Sequence, residues 1–318
     1  MIETAQAFGV DIGGSGIKAA PVNLEKGEFA EPRLKILTPE VSTPQAVAAI
    51  VRQQLDHFEV PETAPVGIAF PAPIKPGRPL DFMANLDQSW IGVDVTAVFS
   101  EACGRPVVVV NDADAAGLAE QQYGAAQGQN GLVIATTLGT GIGSGIILGG
   151  KILRGFNFAA GEMGHTVIVK DGRPCNCGRR GCWERYASSR ALSEDTREAM
   201  RQDPDTLMWK IAGDLDHVNA KTSFDAMEAG DATARKVVDN WIGYVACGVA
   251  NVVNTFQPEV VCIGGGVSNQ GEVLLAPVRA IVEQETRNIT SGSCPAICAC
   301  QLHNDAGVIG AARLAESI

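Results

Sequence analysis

The sequence lacks several features that would assign it to a class at once. No stretch approaches the run of about 18 apolar residues that a membrane-spanning helix needs. Residues 1–7 carry no basic start, so we expect neither a signal peptide nor a transit peptide. Basic residues are scarce, since 25 Lys and Arg stand against 36 Asp and Glu, and the net charge of -11 disfavours a nucleic acid as partner. We therefore expect no membrane and no nucleic-acid partner.

The length and the cysteines predict a two-domain protein of the cytoplasm. With 318 residues the chain is long for one core and sufficient for two, and two domains create a cleft. We expect a small N-terminal α/β domain over 1–122, with a C-terminal helix over 306–318 packed on it, and a larger α/β domain over 123–305. Nine cysteines, an odd number, indicate thiols and metal ligands in a reducing compartment.

The stretch 161–184 holds a candidate metal site. It supplies one imidazole and three thiols, His165, Cys175, Cys177 and Cys182. This is the Cys₃His set that holds structural zinc in a closed tetrahedron. The alternative, small buried cysteines, has no apolar periodicity to support it. Two carboxylates, Glu162 and Glu184, bracket this zinc knuckle and predict contacts to a polyhydroxylated ligand.

Two glycine-rich turns predict phosphate-binding hairpins. The apolar run 8–12 passes through Gly13-Gly14-Ser15-Gly16 into a second strand, and Asp11 beside the turn could hold a metal ion through water. The second turn is predicted over 139–145, between strands at 132–138 and 146–148. It lacks a following helix and a G-K-[ST] ending, so neither the dinucleotide nor the nucleotide-triphosphate fingerprint is met.

Strands alternate with helices, which predicts a largely parallel, covered sheet. Thr43-Pro44 begins a helix, and a second helix is capped by Asp94 and ends at Gly104. The strand 107–110 delivers Asn111 and Asp112 at its carboxyl end, where ligands bind in open α/β sheets. For Asp112, a role in chemistry and a role as helix cap are weighed evenly and are compatible.

The later part of the chain contains an apolar helix and a triple glycine. A helical stripe from Val237 to Phe256 predicts a core or interface element, interrupted at Gly248. Pro258 ends it, and the strand 260–263 feeds Gly264-Gly265-Gly266, where the backbone could approach a flat ligand. The run 294–299 is predicted as a strand whose cysteines act as small apolar residues.

These segments together resemble the ROK family, which comprises repressors, open reading frames and hexose kinases. The resemblance rests on segments in chain order: D-I-G-G-S-G-I-K at 11–18, V-N-D-A-D-A-A at 110–116, L-G-T-G-I-G-S-G at 138–145, G-E-M-G-H at 161–165, C-N-C-G-R-R-G-C-W-E at 175–184 and G-G-G-V at 264–267. It implies the two-domain, actin-like and hexokinase-like (ribonuclease H-like) fold with a zinc knuckle. It also implies a homodimer, or a dimer of dimers, formed through the second domain.

The resemblance further implies a glucokinase that moves a phosphoryl group from ATP to the 6-hydroxyl of glucose. Asp112 would be the base that accepts the hydroxyl proton. The residues implied to contact the sugar are Asn85, Asn111, Asp112, Glu162, His165 and Glu184. The residues implied to contact the nucleotide are Asp11, Gly13, Gly14, Ser15, Lys18, Thr140, Gly141, Gly143, Gly264, Gly265 and Gly266. Mg²⁺ would neutralise the transferring charge, and Zn²⁺ would be structural.

Departures from the family pattern leave alternatives open. The first hairpin differs from the common D-x-G-G-T-K, and with A-N-L-D-Q-S-W-I-G at 84–92 it resembles glucokinases that use polyphosphate. Those enzymes commonly lack the zinc knuckle. Other hexoses, such as N-acetylmannosamine, fructose or mannose, are further alternatives. A sugar-sensing ROK regulator would need a DNA-binding segment before the first hairpin, for which Asp11 leaves no room.

Overall fold

The computed structural model describes residues 6–83 and 85–316 and shows a mixed α/β protein with two sheets. The strands are β1 (Ala7–Gly13), β2 (Gly16–Asn23), β3 (Glu28–Phe29), β4 (Leu34–Ile36), β5 (Val66–Phe70), β6 (Val107–Asn111), β7 (Leu132–Leu138), β8 (Ile142–Leu148), β9 (Lys151–Ile152), β10 (Val260–Gly264) and β11 (Ala296–Ala299). The helices are α1 (Pro44–His57), α2 (Val95–Cys103), α3 (Asp112–Tyr123), α4 (Glu184–Ala187), α5 (Ser189–Gln202), α6 (Met208–Ala212), α7 (Ala220–Glu228), α8 (Ala232–Phe256), α9 (Glu272–Thr286) and α10 (Ala306–Ala315).

The chain divides into two compact units. Among the described residues, unit 1 contains those up to Asn130, then Gly145–Gly161, and those from Gln301 onward. Unit 2 contains Gly131–Ser144 and Glu162–Cys300. The predicted boundary near residue 122 did not foresee that Gly145–Gly161 groups with unit 1. That segment contains β9, which lies against α3.

Unit 1 is built on a sheet with strand order β3-β2-β1-β5-β6, and β4 pairs with β2. The pairs β1–β5 and β5–β6 are parallel, whereas β2 runs antiparallel to β1, β3 and β4, so the sheet is mixed and not largely parallel. The reason is the tight hairpin, which forces β2 to reverse. Side chains of alternate strand residues feed two separate apolar clusters, one with α1 and α2 and one with α3 and α10. Helices therefore cover both faces, as predicted.

The helix ends of unit 1 follow from local capping chemistry. Thr43 accepts a hydrogen bond from Ala46 N before Pro44 at the first helical position, and Asp94 accepts from Ala97 N. Gly104 ends α2 in the left-handed conformation. These three predictions are confirmed. Helix α10 lies against β1, β5 and α3.

The second sheet has the order β11-β10-β7-β8-β9, with β7, β10 and β11 running parallel. The predicted strands at 132–138 and 260–263 are confirmed, and the strand expected over 294–299 is shorter. The second glycine turn is also shorter than predicted, because β8 already begins at Ile142. A β-carbon at Gly145 would lie 2.5 Å from the Ala113 carbonyl oxygen, so this glycine permits close packing within a strand.

The apolar stripe of α8 is buried inside unit 2. Its buried side chains include Val238, Trp241, Ile242, Val245, Val249, Val252 and Val253. Helices α4, α5, α7 and α9 pack against α8. The stripe is therefore a core element, which is the first of the two alternatives that the sequence left open. No helix among the described residues is long and apolar enough to span a membrane.

Candidate active site

The first glycine hairpin of unit 1 is a tight two-residue turn. Gly13 pairs with Gly16 across it, which leaves Gly14 and Ser15 at the tip. The Thr38 hydroxyl donates to the Gly13 carbonyl oxygen at 2.5 Å and holds the turn from the side. Such a tip presents backbone N–H groups outward, which is the geometry that phosphates favour.

Asp11 lies at the base of this hairpin, between a cation and a helix. Lys18 stands directly opposite on β2 and its Nζ donates to Asp11 Oδ2 at 2.9 Å. A β-carbon at Gly307 would lie 2.9 Å from the Asp11 Cγ, so the carboxyl group contacts the first turn of α10. The sequence reasoning missed Gly307, and a glycine inside a helix was the only signal. Lys18 is thus engaged by Asp11.

Asn111 and Asp112 stand where β6 passes into α3. The Asn111 Oδ1 accepts hydrogen bonds from the backbone N–H of Ala113 at 3.0 Å and of Asp114 at 3.3 Å. Asn111 is therefore the helix cap, and Asp112 is the first helical residue, whose Oδ1 accepts from Ala113 N at 2.8 Å. The prediction of a carboxylate at the carboxyl end of a buried strand is confirmed, and the cap belongs to its neighbour.

Asn85 is exposed and lies in the loop before a short 3₁₀ turn at Gln88–Trp90. Its backbone oxygen lies 3.2 Å from the position that a β-carbon at Gly14 would take, so loop and hairpin tip are neighbours in unit 1. Trp90 anchors the loop because its ring is buried and its Nε1 donates to the Ser42 carbonyl oxygen at 2.8 Å. Ala84, the first residue of the predicted loop, lies outside the described residues.

The second glycine hairpin, in unit 2, is held by the start of α5. Gly139 N donates to the Gly141 carbonyl oxygen at 3.0 Å across the three-residue turn, at whose centre Thr140 lies. Both the backbone N–H and the hydroxyl of Ser189 donate to the Gly139 carbonyl oxygen, at 2.9 and 2.7 Å. Gly143 is not in the turn but in β8. The sequence offered no signal for Ser189.

The four predicted zinc ligands come together in unit 2. Their donor atoms all lie within 4.8 Å of one another. The Sγ atoms of Cys177 and Cys182 are 3.6 Å apart, as are Cys175 Sγ and His165 Nδ1. Tetrahedral zinc with Zn–S bonds of 2.3 Å requires sulfur atoms about 3.8 Å apart. The donor set and its spacing therefore fit a zinc ion, with Nδ1 as the imidazole donor.

Two carboxyl groups flank the imidazole. Glu184 Oε1 accepts from the Cys175 thiol at 3.1 Å and lies 3.8 Å from His165 Nδ1, and Glu162 Oε2 lies 3.9 Å from His165 Nε2. Desolvation raises the pKa of Glu162, with an opposing effect from His165 and a further rise from the charge of Glu184. The imidazole thus has one nitrogen toward the thiols and the other toward Glu162.

Glu184 also joins the knuckle to the second hairpin. A β-carbon at Gly141 would lie 2.7 Å from Glu184 Oε2. Any side chain at Gly141 would therefore displace this carboxylate, which explains the glycine at this turn. The carboxylate is 11 % exposed and lies between the thiol of Cys175 and the glycine turn.

The knuckle is docked onto α8 through one buried ring. Trp183 is fully buried and its Nε1 donates to the Tyr244 carbonyl oxygen at 2.8 Å. A β-carbon at Gly248 would lie 1.9 Å from the Trp183 ring. Gly248, which interrupts the apolar stripe of α8, thus leaves the space that the Trp183 ring fills. Both residues were visible in the sequence, but nothing local paired them.

The three glycines at the end of β10 are explained mostly by internal packing. A β-carbon at Gly264 would lie 2.9 Å from Cys300 Sγ. Gly265 has φ +90°, and its β-carbon would lie 2.3 Å from the Leu138 carbonyl oxygen. Only Gly266 of the three has open space around its Cα. Packing alone therefore accounts for glycine at Gly264 and Gly265, and the contact of their backbone with a flat ligand stays a prediction.

The predicted residues form two sets. Unit 1 contains the first hairpin, Asp11, Lys18, Asn85, Asn111 and Asp112, and unit 2 contains the second hairpin, the knuckle, Glu162, Glu184 and the triple glycine. The first set offers carboxylates and a glycine hairpin. The second offers hydroxyl acceptors around a metal-ligand cluster, next to another hairpin.

The chain is similar to known proteins over nearly its whole length. The ROK family model matches residues 7–318. The glucokinase of Thermotoga maritima is 33% identical over 307 residues, which cover 96% of this chain and 96% of that one. The ROK family glucokinase of Streptomyces griseus, solved in complex with glucose and AMPPNP, is 33% identical with a TM-score of 0.86 and covers 98% of this chain and 99% of its own.

A further solved relative uses a second kind of donor. The inorganic polyphosphate/ATP-glucomannokinase of Arthrobacter sp. strain KM is 30% identical, with a TM-score of 0.69, and the match covers 98% of this chain and 99% of that one.

Proposed function

The chain belongs to the ROK family, and from this premise we propose that it is a glucokinase that transfers a phosphoryl group from ATP to the 6-hydroxyl of glucose. The observation that carries the proposal is the position of Glu184, which contacts the Cys175 thiol of the knuckle and the glycine turn at Gly141. The carboxylate that we propose binds sugar hydroxyls is thereby in contact with the turn that we propose binds phosphate. Glucokinase relatives that match nearly the whole chain support it.

In this proposal Asp112 is the general base. Its carboxylate follows the buried strand β6 and is steadied by the hydrogen bond from Ala113 N. It accepts the proton of the 6-hydroxyl as the oxygen attacks the γ-phosphorus of ATP, and the bond to the β-phosphate oxygen breaks. Positioning and charge stabilisation supply the rest of the catalysis.

The other glucose hydroxyls are assigned to polar groups of both units. The Asn111 Oδ1 is committed to the α3 cap, so its amide Nδ2 is left to donate to the sugar. Glu162, Glu184 and the Nε2 of His165 accept or donate at further hydroxyls, as does Asn85 in the exposed loop. Because His165 is one of the proposed zinc ligands and Glu184 follows another, Cys182, by two residues, their geometry depends on the knuckle.

Two metal ions belong to the proposal. His165, Cys175, Cys177 and Cys182 would hold zinc, which supplies a fixed closed tetrahedron and no chemistry. Mg²⁺ would accompany ATP and neutralise charge on the phosphates, and Asp11 is the carboxylate best suited to a hydrated cation. The hairpin tips at Gly14 and Thr140 would face phosphates, and Gly266 would border the nucleoside.

The fold and the location follow the same premise. Each of the two sheets contains a glycine hairpin between adjacent strands, β1–β2 and β7–β8. On this repetition we assign the chain to the actin-like and hexokinase-like fold. No disulfide joins any of the nine cysteines, which supports a reducing, cytoplasmic location.

Polyphosphate is the alternative donor, supported by the glucomannokinase relative. A long polyanion needs a track of available cations. Lys18, beside the first hairpin, is engaged by Asp11 at 2.9 Å. Lys35, whose side chain lies against Gly16, adds one cation and not a track. ATP is therefore the donor that we propose.

The test is a set of initial rates with glucose, N-acetylmannosamine, fructose and mannose, each with ATP or polyphosphate in one Mg²⁺ buffer. The proposal requires the largest kcat/KM for glucose with ATP. A larger value for polyphosphate would overturn the donor, and a larger value for another sugar would overturn the substrate.

One variant tests whether Gly266 borders the nucleoside of ATP. Gly266→Val should raise KM for ATP about tenfold, while KM for glucose stays constant, since Gly266 has open space and no left-handed φ. Gly265→Val is unsuitable, because the clash with Leu138 would disturb the fold whatever the donor. An unchanged KM for ATP in Gly266→Val would remove this glycine from the nucleoside site.

A further inference from the structure

Unit 1 contains an open groove that none of the proposed roles uses. It has a volume of about 400 Å³ and is lined by residues of α3, the β8–β9 hairpin and α10. Gly149 and Gly150 form the turn of this hairpin, and both have positive φ, as a tight two-residue turn requires. Volumes of this size hold small organic ligands.

The charge of the groove is opposite to that of the chain. Its charged lining residues are Lys151, Arg154 and Arg313, and no carboxylate lines it. The whole chain carries 36 acidic against 25 basic residues, so three lining cations, of which only Arg313 is paired with an acid, Glu316, are a local reversal. Local charge of one sign attracts a ligand of the other.

These cations are available to a ligand. Lys151 is exposed and Arg154 is half-buried, and neither side chain forms an ion pair or hydrogen bond with any residue of 6–83 or 85–316. Arg313 contacts Glu316 and remains 36 % exposed. A guanidinium beside an ammonium suits a phosphate, which Arg can bind through two parallel hydrogen bonds.

The floor of the groove is apolar. Leu118 is buried, and Ile152 and Leu314 pack against the core cluster under the sheet of unit 1. Gln122 adds an amide at the wall. A bare inorganic anion would leave the exposed parts of Ile152 and Leu314 in contact with water, whereas an organic body would cover them.

We infer that this groove binds a phosphomonoester: a phosphate dianion held by Lys151, Arg154 and Arg313, on a compact organic body that lies over Leu118 and Ile152. The site is distinct from the proposed base. Gln122 lies ten residues after Asp112 in α3, which at 1.5 Å per residue places it about 15 Å along the helix. The inference does not rest on the proposed function.

Calorimetric titration tests the binding directly. Glucose 6-phosphate and inorganic phosphate are titrated into the full chain with saturating glucose, which keeps the proposed hexose site filled. We expect saturable binding of glucose 6-phosphate that weakens with added KCl, and inorganic phosphate bound at least about tenfold more weakly, since it leaves the floor uncovered.

Two double variants identify the site. Lys151→Glu with Arg154→Glu should weaken glucose 6-phosphate binding about tenfold or more, the effect of losing charge-assisted hydrogen bonds. Lys210→Glu with Arg235→Glu makes the same charge change at exposed residues of unit 2 and should leave affinity within about twofold. If the first pair fails to fold, Lys151→Gln with Arg154→Gln replaces it.

Equal affinity for glucose 6-phosphate in the groove variant and the control variant would show that the groove is not the binding site. Equal affinity for glucose 6-phosphate and inorganic phosphate would show that the organic part of the ligand is not recognised. The kcat/KM for glucose, measured on the same samples, is expected to be unchanged in both variants. A loss of phosphorylation with intact binding would therefore concern the proposed function and not the groove.

Discussion

The helix cap and the proposed base at the end of β6 are two different residues, Asn111 and Asp112. Asn111 caps α3 with both of its accepted hydrogen bonds, so Asp112 is not needed as the cap. An amide at Asp112 could still accept the hydrogen bond from Ala113 N, because that bond needs only an oxygen. Removing the negative charge therefore tests chemistry without removing the cap.

Asp112→Asn should fold normally and lose glucose phosphorylation by about 10²-fold or more, the usual scale for a positioned general base. Steady-state rates and a thermal melt measure both properties. Asp94→Asn is the matched control, since it makes the same change at the cap of α2, where Asn also caps well. Turnover near wild type in Asp112→Asn would show that another group takes the proton.

Among the elements, the knuckle depends on two supports that lie far apart in the chain. The first is the ligand cluster, in which His165 is joined to three cysteines ten or more residues away. The second is the packing of the Trp183 ring against Gly248 of α8. Each support can be removed by a single substitution.

Cys177→Ala should remove the zinc, predicted at one ion per chain, and lower the melting temperature, because a structural metal contributes folding free energy. Glucose affinity should fall too, since His165 is a ligand of the cluster and Glu184 follows its Cys182 by two residues. Elemental analysis and a thermal melt measure the effects. Cys294→Ala, at an exposed cysteine, is the control and should keep both values. Wild-type protein without zinc would end this assignment.

Gly248→Ala and Gly243→Ala should shift stability in opposite directions. Ala is favoured over Gly inside a helix by about 1 kcal/mol, so Gly243→Ala, which meets open space, should raise the melting temperature. At Gly248 the new methyl group would lie within the Trp183 ring, so the knuckle must move and stability should fall. Thermal melts of the two variants measure both shifts, and shifts of the same sign would contradict the packing of Trp183 against Gly248.

The whole molecule contains two separately packed units, and its assembly state is a prediction of its own. The α8 stripe first suggested an interface, but its side chains are already buried by neighbouring helices of unit 2. Only the family membership still supports the homodimer or dimer of dimers. Light scattering should give twice or four times the chain mass of 33.3 kDa. A particle of one chain mass at working concentration would decide for the monomer.

Much of the fold could be predicted because its signals are local. The apolar runs at 107–110 and 132–138 are strands, and Thr43, Asp94 and Gly104 mark helix ends through hydrogen bonds within a few residues. The metal cluster could be predicted for the same reason, since three of its four ligands lie within eight positions and their chemistry is specific.

Tertiary structure decided what depends on distant contacts. Gly145 lies in a strand and not a turn because Ala113 packs on it, and Gly265 is a glycine because Leu138 lies against it. Ser189 steadies the second hairpin from a helix fifty residues away. A glycine has the same letter in a turn, a strand or a packing contact, and only the neighbour brought to it by folding tells these roles apart.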